Sequence, residues 1–241
     1  ANTFISTVGA INETGARPIL VDCDDSFCMD VGQVEAAITE HTKAIMPVHL
    51  TGDVTDMTAL MAIAEKHGLS VVEDACQGIL SETDGKRSGT WGVAAGFSLH
   101  PLKNLNVWGD AGVIVTDDDA INDKLRLIRN HGLKNRDEIS VLSCNSRLDS
   151  VQAVVGNWLI GQTHDITNRR IENAAYYDKA FGGISGITIP RRRANVKNVY
   201  HLYMVFTENR DALYDHCLEN GVEAKVHYPI PLYQQEGLKH L

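Results

Sequence analysis

KAIMPVHLTGDVTDMTALMAIAEKHGLSVVED, residues 43–74, reads as strand, helix, strand. KAIMPVHL (43–50) and LSVVED (69–74) are short apolar runs of strand length. The segment between them carries a cap at Thr55 or Asp56 and stops at Gly68, as a helix of more than ten residues should. The same alternation extends on both sides. Upstream, RPILVDCD (17–24) predicts a further strand, and VGQVEAAITEH (31–41) a helix through Val31, Val34, Ala37 and Ile38. Downstream, GVIVTDD (112–118) predicts a strand and DAINDKLRLIRNHG (119–132) a helix ending at glycine. Apolar strands alternating with helices mean βαβ units, so the expected class is α/β, a mostly parallel sheet flanked by helices. Residues 148–181 read as helical, with breaks at Gly156 and Gly161. VYHLYMVFT, NRDALYDHCLENG and VEAKVHY then give strand, helix, strand. The expected division is a large domain over 1–165, and over 166–241 a linking helix with a smaller α+β domain. No internal repeat or low-complexity tract interrupts the pattern.

The bulk properties narrow the function classes. Of 241 residues, 44% are hydrophobic and 22% charged, which is ordinary globular composition. A net charge of −9 argues against a nucleic-acid binder, which would show a basic face. The single basic run, Arg191-Arg192-Arg193, is expected to be a solvated loop. Five cysteines, an odd number without metal-ligand spacing, fit a reducing cytosol rather than a disulfide framework. Neither a signal peptide nor an apolar run of about 18 residues is present, so a cytoplasmic protein without membrane association is expected. The chain opens without Met, inside an apolar pattern, and stops at GLKHL; it reads as an internal fragment, truncated at both ends.

In open α/β sheets, ligands sit beyond the carboxyl ends of strands. LSVVEDACQG puts Glu73 and Asp74 at one such end, with Gln77 three residues on. TWGVAAGFSLHPLKN puts Ser98 and Lys103 after another apolar run. Taken singly, Asp74 could cap the next turn and Lys103 could be one more solvated lysine. Together they suggest a chemistry that needs both. A lysine amine can hold an aldehyde as a Schiff base, and a buried carboxylate can keep a pyridine nitrogen protonated. Pyridoxal phosphate (PLP) requires that pair.

NTFISTVGAI, VEDACQG, FSLHPLKNLNVWGDAG, IRNHG, NSRLDSVQA and HYPIPL occur in this order along the chain. They resemble the DegT/DnrJ-type sugar aminotransferases, PLP enzymes of the aspartate aminotransferase fold (fold type I). The resemblance implies that Lys103 is the Schiff-base lysine and that Asp74 pairs with the pyridinium nitrogen. It implies that Gln77 bonds the ring hydroxyl and Ser98 the phosphate. Phe4 would stack on the ring face, the alternative being a core aromatic. Asn145 and Arg147 would reach the partner's phosphate across a homodimer interface with shared active sites, the alternative being a loop and cap before the helix at Asp149. His49, His100 and His131 are assigned structural roles, and no metal site is expected. The family's phosphate-binding turn would lie upstream of Ala1, and the rest of the small domain beyond Leu241. Relatives that replace the lysine with histidine are sugar dehydratases, so Lys103 favours transamination. The implied activity moves an amino group from an amino acid, glutamate being the first candidate, to a keto sugar, with a nucleotide-linked one first. The alternatives are a PLP-dependent sugar dehydratase, or a non-catalytic regulatory or sensor protein on the same scaffold.

Overall fold

The computed structural model describes residues 2–239. Helix α1 (Ile5–Glu13) leads, and a 3-10 turn (Val31–Gln33) runs into the short α2 (Val34–Ala37). Then come β1 (Ala44–Ile45), α3 (Met57–His67), β2 (Ser70–Asp74), β3 (Glu82–Thr83), β4 (Lys86–Arg87), β5 (Ala94–Ser98) and β6 (Gly112–Val115). The main sheet has the order β1-β2-β5-β6. Its first three strands are parallel, and β6 closes the edge antiparallel to β5.

The 43–74 stretch folds as its pattern dictates. Asp56 caps α3, its Oδ1 accepting from Ala59 N at 3.0 Å, and Gly68 ends it in the left-handed conformation at φ +62°. Met57, Leu60 and Ala64 share one face and are buried against Ile45, Val54 and Val71. Each large side chain so buried contributes about 1.5–3 kcal/mol. Pro47 has no N–H to give the sheet, yet its carbonyl accepts from Asp74 N at 2.9 Å, so β2 stays in register to its last residue.

Two upstream expectations fail. RPILVDCD forms no strand; it makes one isolated bridge, Cys23 to Met29. Ile19 and Leu20 remain 61% and 39% exposed, and among the described residues no strand lies alongside to complete a ladder. The helix expected over 31–41 stops at Ala37, because Ile38 turns extended at ψ 134° and Thr39 N bonds Thr42 Oγ1 at 2.9 Å.

The second half is α4 (Asp119–Ile128), α5 (Ser150–Ile160), α6 (Thr163–Phe181), β7 (Ile187–Thr188), β8 (Val196–Lys197), β9 (Phe206–Thr207) and α7 (Arg210–Glu219). The helical stretch breaks at Gly161–Gln162, whereas Gly156 stays inside α5. β8 joins a small sheet of order β4-β3-β8, and β7 pairs with β9. VYHLYMVFT contributes only its last two residues to a strand, and VEAKVHY none, because other contacts hold their backbones. Val199 N and Leu202 N bond the carbonyls of Gly52 and Thr51 at 3.0 and 3.1 Å.

The arginine run lies in a loop but is not solvated as expected. Arg192 grips Asp178 with two bonds of 3.0 and 2.8 Å, and Tyr203 Oη donates to the same carboxylate at 2.8 Å. Arg193 donates to Asp53 and to the Val54 carbonyl. Asp178 and Asp53, 14 and 140 residues away, thus claim two of the three cations. Among the described residues no helix is long and apolar enough to cross a membrane.

Gly52 decides how closely the 199–202 segment can approach. Its φ is +96°, and a Cβ there would lie 2.8 Å from Tyr200 N and 2.9 Å from His201 N. Gly52→Ala is therefore expected to cost about 2 kcal/mol or more. The denaturation midpoint measures it, and an unchanged midpoint would contradict this packing.

Candidate active site

β2 and β5 are neighbours in register, Asp74 opposite Gly96, so their carboxyl ends open side by side. The chain leaving β5 folds into a closed turn. Val107 N bonds the Leu99 carbonyl at 2.9 Å, and Lys103 N bonds the His100 carbonyl at 2.8 Å. Leu99, Leu105 and Val107 anchor the turn in a second apolar cluster with Ile79, Val155 and Leu159. Asn106 Nδ2 donates to the Lys103 carbonyl at 2.9 Å, and Asn104 Nδ2 to the Val199 carbonyl at 3.0 Å. These bonds hold the turn on both sides of Lys103, which is half-buried.

Asp74 is held from two sides. Its Oδ1 accepts from Cys76 N at 3.1 Å and its Oδ2 from the Thr7 hydroxyl at 2.7 Å. Burial pushes the Lys103 amine below the usual lysine range, against the influence of Cys76 and Asp74. The Cys76 thiol is itself pushed up to about 12, by burial above all, so near neutrality it carries no charge. Asp74 is then the anion acting on the amine. Burial likewise drives His201 down to about 3, with Lys103 and Arg170 adding to the effect. His227 is lowered by burial and then by Lys103. Both imidazoles are neutral at pH 7, and both sense the Lys103 cation.

Gln77 is buried, and its Oε1 accepts from Thr51 N at 2.6 Å. Burial raises the Tyr228 hydroxyl's pKa, while a hydrogen bond to the Gln77 side chain opposes the rise. Ser98 ends β5, its Oγ accepting from His100 N at 3.3 Å. Phe4 stands at the start of α1, 55% exposed, with its ring 6.2 Å from that of Tyr228. That exposure is not that of a core aromatic. Asn145 and Arg147 do not bond to any of these residues. Both are exposed, Asn145 Oδ1 accepts from Arg147 N at 3.2 Å, and the Arg147 guanidinium donates to Asn130.

The three histidines set aside have local partners. His49 Nδ1 accepts from Thr55 N at 3.4 Å, which leaves Nε2–H to donate to buried Glu73 at 2.9 Å. Burial would raise the Glu73 pKa, but bonds from His49, Gly92 and Gly89 outweigh it and hold the carboxyl below its usual range. His100 Nδ1 accepts from Leu102 N at 3.2 Å inside the lysine turn. His131 takes a left-handed φ of +58° and bonds the Cys144 carbonyl through its backbone at 2.9 Å. Among the described residues no group of three or more His, Cys, Asp or Glu could hold a metal.

Sequence reading gave no role to Thr7, His201, His227 or Tyr228. His227 and Tyr228 stand in the quoted motif HYPIPL and Thr7 in the quoted motif NTFISTVGAI, and these are the signals the sequence offers for them; His201 lies in a stretch that reads as an ordinary strand.

The family described as the DegT/DnrJ/EryC1/StrS aminotransferases matches residues 1–241, the whole chain. The chain belongs to this family. It is 42% identical over 238 residues to the pleiotropic regulatory protein of Geobacillus stearothermophilus, covering 98% of this chain and 64% of that one. It is 38% identical over 234 residues to the dTDP-3-amino-3,4,6-trideoxy-alpha-D-glucose transaminase of Streptomyces venezuelae, covering 97% and 62%. Among solved family structures, DesV of S. venezuelae in complex with a ketimine intermediate superposes with a TM-score of 0.96 at 36% identity, over 99% of this chain and 65% of that one. Bacillus subtilis ntda with bound cofactor PMP superposes at 0.87 with 32% identity, over 98% and 55%. The chain thus spans a little under two thirds of the length of the curated relatives it matches. The α/β fold with a mostly parallel sheet is the fold of these aminotransferases.

The residues of this candidate site suit a phosphorylated pyridine aldehyde. Asn104 Oδ1, His201 Nδ1 and His227 Nε2 are buried without a hydrogen-bond partner, and buried polar atoms ordinarily have one. They lie on the lysine turn and on the segments whose rings sense Lys103, where a polar ligand could satisfy them. A desolvated amine, an anchored carboxylate and an amide complete the set.

Proposed function

We propose that the protein carrying this chain is a PLP-dependent aminotransferase that moves an amino group from an amino acid to a keto sugar. Glutamate is the proposed donor and a nucleotide-linked keto sugar the proposed acceptor. The observation that carries this reading is the desolvated Lys103 amine, held on a rigid turn within electrostatic reach of anchored Asp74.

Bound PLP would supply an electrophilic aldehyde and an electron-withdrawing ring. Lys103 Nζ would hold it covalently and, once released, take the proton from the donor's Cα. Burial assists that step, because it brings loss of the ammonium proton closer to neutrality than in an ordinary lysine. Asp74 would keep the ring nitrogen protonated. Gln77 has its Oε1 taken by Thr51 N, so its Nε2 would donate to the ring hydroxyl. Ser98 would bind phosphate and Phe4 would cover the ring. The division into 1–165 and 166–241 belongs to the same proposal; the whole β1-β2-β5-β6 sheet lies in the first segment. The cytoplasmic assignment is supported by five unpaired cysteines.

The name of the Geobacillus relative gives the regulatory reading one specific support. A regulator has no use for an imine-forming lysine, and the two readings separate in one experiment. The full-length protein is loaded with PLP, tested for borohydride-bleachable yellow colour, converted with glutamate, and offered a panel of keto sugars in single turnover. Amino-sugar formation is expected; a protein that stays colourless with PLP and consumes no donor would overturn the aminotransferase reading.

A homodimer with shared sites is also proposed. It is supported by the exposure of Asn145 and Arg147 and by α5 beside them, which leaves Val151, Val154 and Trp158 at 72%, 69% and 68% exposure. If both residues serve the neighbouring site, Lys103→Ala and Asn145→Ala/Arg147→Ala dimers should each be poor enzymes. A mixed dimer carries both lesions in one site and neither in the other, so up to about half of parental activity should return. Activity no higher than the mean of the two parents, with mixed dimers shown to form, would assign both residues to their own chain's loop.

A further inference from the structure

We infer that Thr3 and Thr7 form a two-hydroxyl relay that holds Asp74, making Thr7 a positioning residue for the reaction proposed above, on which this inference rests. A threonine inside a helix usually returns its hydroxyl proton to the carbonyl four residues back. Thr7, in the first turn of α1, instead donates to Asp74 Oδ2 at 2.7 Å, across 67 residues of sequence. A hydroxyl has one proton to give. With that proton on Asp74, the 3.0 Å contact between the Thr3 and Thr7 oxygens has Thr3 as donor. Both protons therefore run toward the carboxylate, an arrangement in which each bond strengthens the next. Thr3 and Thr7 are only 8% and 7% exposed, so water competes little for either hydroxyl.

The relay does what the strand end alone does not. Cys76 N, two residues from Asp74, pins Oδ1 and by itself would leave the carboxylate free to swing about that bond. Thr7 pins Oδ2 from another element, which fixes the plane of the group while each oxygen keeps a lone pair for a ligand. The same helical turn begins at Phe4, so one docking of α1 sets both the carboxylate and the aromatic ring proposed to cover the cofactor. A hydrogen bond to a carboxylate also favours its charged form. A proton shared between Asp74 and a pyridine nitrogen is therefore kept on the nitrogen.

The test uses the full-length protein loaded with PLP. Thr7→Val keeps the shape and removes the hydroxyl; Thr7→Ser keeps the hydroxyl. Without the hydroxyl the shared proton moves toward Asp74, the ring loses positive charge, and the nitrogen that Lys103 contributes becomes more basic. The visible absorbance of the bound cofactor should then titrate about half a pH unit or more higher in Thr7→Val, and PLP affinity should fall about tenfold. Thr7→Ser should restore both to within about twofold of the parent, and Thr3→Val should shift both in the same direction by less. A Thr7→Val protein with the parent's titration and affinity would overturn the relay, and so would equal shifts in Thr7→Val and Thr7→Ser. Should Thr7→Val fail to fold, Thr3→Val decides, and no shift there overturns the inference. A parent that takes up no PLP at all is a different result; it overturns the functional reading and the relay with it.

Discussion

Lys103→Ala in the full-length protein is expected to abolish transamination and borohydride-stable attachment of the cofactor. The turn that presents Lys103 is closed by the Val107–Leu99 and Lys103–His100 backbone bonds and anchored by Leu99, Leu105 and Val107. None of these contacts, nor the Asn106 bond to the Lys103 carbonyl, uses the lysine side chain, so the alanine variant should keep the turn and lose only the amine. The amine is held below the usual lysine range chiefly by burial, and removing a desolvated cation should not lower stability. Folding unchanged in a thermal melt, PLP bound reversibly and turnover lost are the expected combination. Undiminished turnover would remove Lys103 from the chemistry and return it to the solvated-lysine reading.

Asp74→Asn should reduce turnover at least a hundredfold, the scale seen when other preorganised electrostatic groups are lost. The amide keeps the volume of the side chain, and one oxygen can still accept from Thr7 or from Cys76 N. What disappears is the anion that opposes deprotonation of a ring nitrogen. Asp74 does make the turn-capping bond that a local reading assigns it, to Cys76 N at 3.1 Å. It also makes a second, long-range bond to Thr7 that a cap does not need. Turnover within about threefold of the parent would leave the cap as its whole role. Because Asn can preserve the cap, the kinetic loss and any loss of stability can be read separately.

The α/β class was legible in residues 43–74 because both signals there are local. A three-to-four-residue apolar period with Asp56 and Gly68 at its ends makes a helix wherever that face can be buried. A short apolar run makes a strand when neighbours are supplied, and β1, β2 and β5 supply one another. RPILVDCD carries the same signal and makes no strand, since a strand is completed by its partner and not by its own side chains. The arginine run shows the opposite failure. Its residues looked solvated because Asp53 and Asp178, which bind two of them, lie 140 and 14 residues away.

At the site, the sequence by itself determined that an acid and an amide would follow one strand end and a serine and a lysine another; that these two strands are neighbours is decided by the sheet. Those positions follow from where apolar runs stop. Tertiary structure alone decided what surrounds them. α1 brings Thr7 to Asp74, the Gly52 turn admits the 199–202 segment that carries His201, and Tyr228 comes to Gln77 from near the chain's end. Each of these contacts joins residues more than 65 positions apart, and their spacing along the chain leaves no periodic trace. Lys103 is a base candidate rather than a surface cation because its amine is partly withdrawn from water, and desolvation is a property of the packed molecule, set by the segments that pack around the residue.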